Sequence, residues 1–140
     1  MIRMLDHTAD VGFELGAPTH EGLFHEARRA LLLTMFERLP EEGEEGRVVQ
    51  LAAPDRETLL VRWINELVFL VQNDGFVPVG AALRIQEDGE EGFSLEARLG
   101  GVPLDLEAQG WQGEVKSATF HDLEVTHGDE GWRARVILDV

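Results

Sequence analysis

Residues 55–73 read DRETLLVRWINELVFLVQN, and this stretch decides how the rest of the chain is read. Leu60, Trp63, Ile64, Leu67 and Val71 recur at intervals of three and four, the spacing that lines one face of an α-helix. Asp55 follows Pro54 and supplies the short carboxylate that caps a helix N-terminus. Asn73-Asp74-Gly75 ends the pattern, with Gly75 free to enter the left-handed region. The spacing therefore predicts a helix from Asp55 to about Asn73, with Trp63 and Leu67 in the core.

Upstream, Arg47 to Ala53 reads as a strand, and 37–46, with five glutamates, one proline and two glycines, as a solvated loop. Thr19 caps a second helix running to about Phe36, whose apolar stripe is Leu23, Ala27, Ala30, Leu31, Thr34 and Met35. His20 and His25, five apart on that helix, read as surface residues. Val11 to Leu15 alternates as a short strand.

Downstream the periodicity changes to two. Leu83 and Ile85 alternate with polar residues up to the turn at 88–92, and Phe93, Leu95, Ala97 and Leu99 alternate after it, which predicts a hairpin. Thr119 to Val125 reads as another strand. A turn at 127–131 leads into a final strand whose inward residues are Trp132, Ala134, Val136 and Leu138. No repeat or linker interrupts 1–140. The order predicts an α+β single-domain sandwich, with two helices packed on a largely antiparallel β-sheet.

Composition narrows the function. Without cysteine there is no disulfide scaffold, thiolate zinc site or cysteine nucleophile. No run reaches the ~20 apolar residues of a membrane span, so a soluble cytoplasmic protein with no membrane partner is expected. Twelve basic against twenty-seven acidic residues give a net charge of −15, which repels phosphate backbones and argues against direct nucleic-acid binding. A basic protein partner or a metal cation suits that charge, and so does plain solubility. Eleven of the twelve basic residues are arginine, leaving Lys116 as the lone lysine, a compact ammonium where a generic surface cation would be Arg.

Three segments can carry chemistry. Asp6-His7-Thr8-Ala9-Asp10 crowds metal- or proton-binding groups into five residues, or forms a turn in which Thr8 or Asp10 bonds local backbone. At the other end, alternation turns Asp139 away from Leu138, beside the carboxylate of Val140. Such a pair gains by holding a cation, or belongs to a solvated tail. In 114–121, EVKSATFH, alternation sends Lys116 and His121 to opposite faces unless a bulge intervenes. An acid–base set and a simple Lys116–Glu114 ion pair both fit. The chain has no Gly-rich phosphate loop, no nucleophile elbow and no spaced histidine pair, so no self-sufficient active site emerges.

In order along the chain, these segments resemble the archease family. Asp6-His7-Thr8-Ala9-Asp10-Val11-Gly12 is similar to its His-Thr-Ala-Asp opening and 55–70 to its second helix. Gly101-Val102-Pro103-Leu104-Asp105 is similar to a Gly-x-Pro-x-Asp turn, 114–121 to a Glu-Val-Lys-Ala…Tyr-His block, and Leu138-Asp139-Val140 to the C-terminal end. Ser117 stands where Ala is usual, Phe120 replaces Tyr, and Val102 sits where an acid is frequent.

The resemblance implies a protein cofactor, not an enzyme. It would activate an RtcB-type RNA ligase in tRNA splicing and RNA repair, promoting guanylylation of the ligase and multiple turnover. GTP would enter only through that ligase. Carried over by position, the resemblance implies a divalent-cation site at Asp10, Asp139 and Val140, taking Ca²⁺, Mg²⁺ or Mn²⁺, with Lys116, Asp6, His7 and His121 serving partner activation. The competing reading is a stand-alone metal-dependent phosphoesterase acting on RNA ends or nucleotides, using the same acids with His7 or His121.

Overall fold

The computed structural model describes residues 1–5 and 10–140. Its elements run β1 (Ile2–Leu5), β2 (Asp10–Ala17), α1 (His20–Met35), β3 (Glu45–Ala53), α2 (Arg56–Gln72), β4 (Phe76–Glu87), β5 (Phe93–Pro103), α3 (Leu106–Gln109), β6 (Ser117–Gly128) and β7 (Gly131–Asp139). Both long helices start where the sequence puts them. The Thr19 hydroxyl accepts the Gly22 N–H at 2.9 Å, and the Asp55 carboxylate accepts the Thr58 N–H at 2.7 Å. Each satisfies a donor that the first helical turn leaves without a partner. Gly75 takes φ of +64° just beyond α2, as its position requires.

The α+β class holds, but the expected single sheet is two. Among the described residues the strand orders are β1-β2-β7-β6 and β3-β5-β4, with every pairing antiparallel. Both helices bridge the sheets: α1 packs on β2 and β4, and α2 packs on β6 as well as on β3 and β4. A helix touched from both sides must be apolar over much more than one stripe. α2 accordingly buries Leu59, Val61, Val68 and Leu70 besides the predicted Leu60, Trp63, Ile64, Leu67 and Val71. Trp63 is fully buried, and its indole N–H donates to the Phe24 carbonyl at 2.9 Å, tying α2 to α1.

Two elements escape sequence patterning because they are short: β1, which adds to the edge of β2, and α3. The 101–105 turn explains itself in three dimensions. A Cβ on Gly101 would lie 2.4 Å from the Val77 carbonyl oxygen and 2.5 Å from the Phe76 ring, so only glycine fits there. Beside it, β4 slips register between Val77 and Gly80, a bulge. Asp105 then caps α3, accepting the Ala108 N–H at 3.1 Å.

Candidate functional site

One end of the four-stranded sheet gathers what the sequence singled out. Asp10 opens β2 and Asp139 closes β7, and the two are direct cross-strand partners. On the other side of β7, Asp139 is opposite Ser117 at the start of β6. Partners directly opposite in an antiparallel ladder project from the same face, with Cβ atoms about 4.5–5.5 Å apart. The face is the outer one. Phe13, Leu15, Ala118, Val136 and Leu138 occupy the alternate positions and are buried, which turns Asp10, Ser117 and Asp139 away from the core.

Lys116 sits one residue before β6, exposed, and its backbone N–H donates to the Asp139 carbonyl at 2.8 Å. The backbone of the lone lysine is thereby fixed beside Asp139. Among the described residues no ion pair joins it to Glu114, so that alternative is not realised. Val140 follows directly and is 43% exposed.

The segment carrying Lys116 is fixed from the side by α2. Gln72 accepts the Val115 N–H at 2.9 Å and donates to the Val115 carbonyl at 2.8 Å, while Asn65 accepts the Ala118 N–H at 2.7 Å. These two amides, two helical turns apart, do for the free edge of β6 what a neighbouring strand would do. Neither was anticipated. The available signal was two carboxamides on a helix that is otherwise apolar on its inner faces.

His121 falls in an irregular stretch. Thr119 is opposite Ile137 and Glu124 is opposite Arg135, so 120–123 bulge out of the ladder, and Asp122 takes φ of +54°. The His121 side chain is 70% exposed, with Nε2 3.4 Å from the Asp122 carboxylate. The bulge that could have brought Lys116 and His121 to one face comes after Thr119. Phe120, in the same bulge, is exposed. Asp6 and His7 lie outside the described residues.

His20 is not a surface residue. Its ring stacks parallel on Trp132 at 4.3 Å and meets Phe24 edge-on at 5.2 Å, and its Nε2 is buried without a hydrogen-bond partner. His127, the cross-strand neighbour of Trp132, stacks on the same indole at 4.2 Å. Arg56 lies over both Phe93 and Trp132. Burial first, and the Arg56 charge second, hold the His20 pKa down to about 4, so the ring is neutral at physiological pH.

The donors at the sheet end are all oxygens, which suits a hard divalent cation rather than zinc. Two opposed carboxylates fit such an ion in kind. Among the described residues no group of three or more His, Asp or Glu side chains joins them.

The fold and site thus define a small α+β domain with a carboxylate pair and a backbone-tethered lysine at one end of a sheet. Residues 3–140 match the archease protein family, and the chain belongs to it. It is 34% identical to the protein archease of Methanosarcina barkeri, over 97% of this chain and 93% of that one. The solution structure of protein 1598 from Methanobacterium thermoautotrophicum superposes with a TM-score of 0.81 at 31% identity, covering 99% and 98% of the two chains. A Thermotoga maritima crystal structure, described as an archease and possible chaperone, shares the fold with a TM-score of 0.66 at 21% identity, over 100% and 98%. No helix among the described residues is long and apolar enough to cross a membrane.

Proposed function

We propose that this chain activates an RtcB-type RNA-splicing ligase in the cytoplasm, promoting guanylylation and multiple turnover of that enzyme through Asp10, Asp139, Val140 and Lys116. One observation carries the reading: the register that opposes Asp10 and Asp139. That register puts two carboxylates from opposite ends of the chain within reach of one ion, the oxygen donors a hard divalent cation takes. A divalent cation there would offset both carboxylates and supply a Lewis acid to phosphate oxygens. The residues' own part is to hold the ion at the sheet end. Lys116, tethered through its backbone to Asp139, brings the one lysine of the chain to the same sheet end.

Action on a partner protein fits the description of the Thermotoga maritima relative as a possible chaperone.

A multiple-turnover ligation assay with the cognate ligase tests the reading. Wild-type protein should stimulate turnover, and Asp10→Ala, Asp139→Ala and Lys116→Ala should each abolish stimulation while their circular dichroism stays native. Full stimulation by both aspartate variants rejects the site. Hydrolysis of RNA 3′ ends or nucleotides by this protein without ligase would instead favour the phosphoesterase.

A further inference from the structure

A second surface lies beside the C-terminal half of α1. A cleft of about 290 Å³ is walled there by Leu32, Leu33, Phe36, Leu39 and Val79, with Arg28, Arg29 and Glu37 as its charged lining. Arg28 is only 9% exposed, and among the described residues it is the one buried charged side chain. Its Nη1 donates to the carbonyls of Pro78 and Val79 at 3.2 and 2.9 Å, where β4 bulges, while Nε has no acceptor. Burial lowers its pKa, but a guanidinium stays charged.

No described carboxylate lies within ion-pair distance of Arg28. The neighbouring cations are already matched: Arg29 is held by Glu26 at 2.7 Å and Arg38 by Glu37 at 2.8 Å. Among the described residues Glu26 acts on Arg28 only at longer range, its carboxylate being bonded to Arg29. Taking a charge out of water costs free energy that an opposite charge offsets.

The apolar walls extend past the cleft. Leu33 is 60% exposed on the rim and also lines the adjoining hollow with Met1 and Met4, themselves 48% and 68% exposed. Large apolar side chains that are grouped and rimmed by charge mark an interaction surface, whereas scattered ones do not.

We propose that this groove docks an acidic, apolar segment of a partner protein. A carboxylate of the segment reaches the cleft edge of Arg28, and its apolar side chains lie on Leu32, Leu33, Phe36 and Leu39. The groove is built on α1 and β4, not on the strand ends that carry the carboxylate pair. The inference therefore stands or falls independently of the ligase reading.

The test is an amide-shift titration of the ¹⁵N-labelled full chain with short synthetic peptides alternating Asp with Leu, Lys with Leu, or Asp with Ser. The Asp/Leu peptide should move amides of 28–40 and 79, and bind about tenfold or more tighter than the other two, a difference of about 1.4 kcal/mol. Leu33→Asp, an exposed position, should abolish the shifts without changing thermal stability. Arg28→Met, if folded, should erase the preference for Asp over Lys. Absent shifts, shifts centred elsewhere or equal binding of the Lys/Leu peptide overturn the proposal. So does a dimer of the free protein that Leu33→Asp dissolves, which would give the face to a second copy.

Discussion

Replacing Gln72 by Met keeps the length and apolar stem of the side chain while removing both of its hydrogen bonds to Val115. Val115 is fully buried, so its N–H and C=O lose their partners with no water to replace them. Each stranded group costs about 1–3 kcal/mol, so partial relaxation of the segment puts the loss at roughly 2–4 kcal/mol. For a domain of this size, that is roughly a 5–15 °C fall in midpoint. Thermal unfolding by circular dichroism reads the shift, and native-state hydrogen exchange locates it. The Val115 and Lys116 amides should exchange faster relative to the α2 core, because the tether fixes the segment leading into β6. Gln72→Glu sharpens the test. Its carboxylate can still accept the Val115 N–H but cannot donate to the carbonyl, so its loss should fall between wild type and Gln72→Met. A midpoint drop below about 2 °C for Gln72→Met, with Lys116 exchange unchanged, would refute the claim that α2 positions this segment.

Three further outcomes are expected. His20 has its pKa depressed to about 4 in the folded state, so its contribution is present above the ordinary value near 6.5 and is lost as pH falls from there to about 4. Discounted for the partly exposed ring, the loss is on the order of 1–2 kcal/mol, and His20→Gln should flatten the urea-unfolding free energy over that window relative to wild type. Gly101→Ala forces a methyl against the Val77 carbonyl and the Phe76 ring, and should cost about 1–3 kcal/mol or more in denaturant unfolding, with Phe76 amide shifts displaced. Asp139→Asn removes one carboxylate of the proposed site while keeping the size of the side chain. Millimolar Ca²⁺ or Mg²⁺ should stabilise wild type but not this variant, and equal stabilisation of both would remove the ion from the site.

Local order was readable because its causes are local. The caps at Thr19 and Asp55, the core position of Trp63, the left-handed Gly75 and the alternation in β5 and β7 follow from contacts within a few residues. So did the outward turn of Asp139, because strand alternation opposes it to Leu138. The same local logic misjudged His20. Its place five residues from His25, off the spacing for one helical face, read as surface, but Trp132, from a distant strand, lies against its ring.

The sequence alone determined the α+β class, the two capped helices, most of the strands, and a short set of candidates in Asp10, Lys116 and Asp139. Tertiary structure decided that the strands divide into two sheets, because each helix has two sheets to bury itself against. It also decided that Asp10 opposes Asp139, that α2 holds the Lys116 segment, and that His121 rides a bulge away from the ladder. These are matters of register between segments separated by most of the chain. A one-residue slip would send the same side chains to the other face, and no local periodicity records that choice.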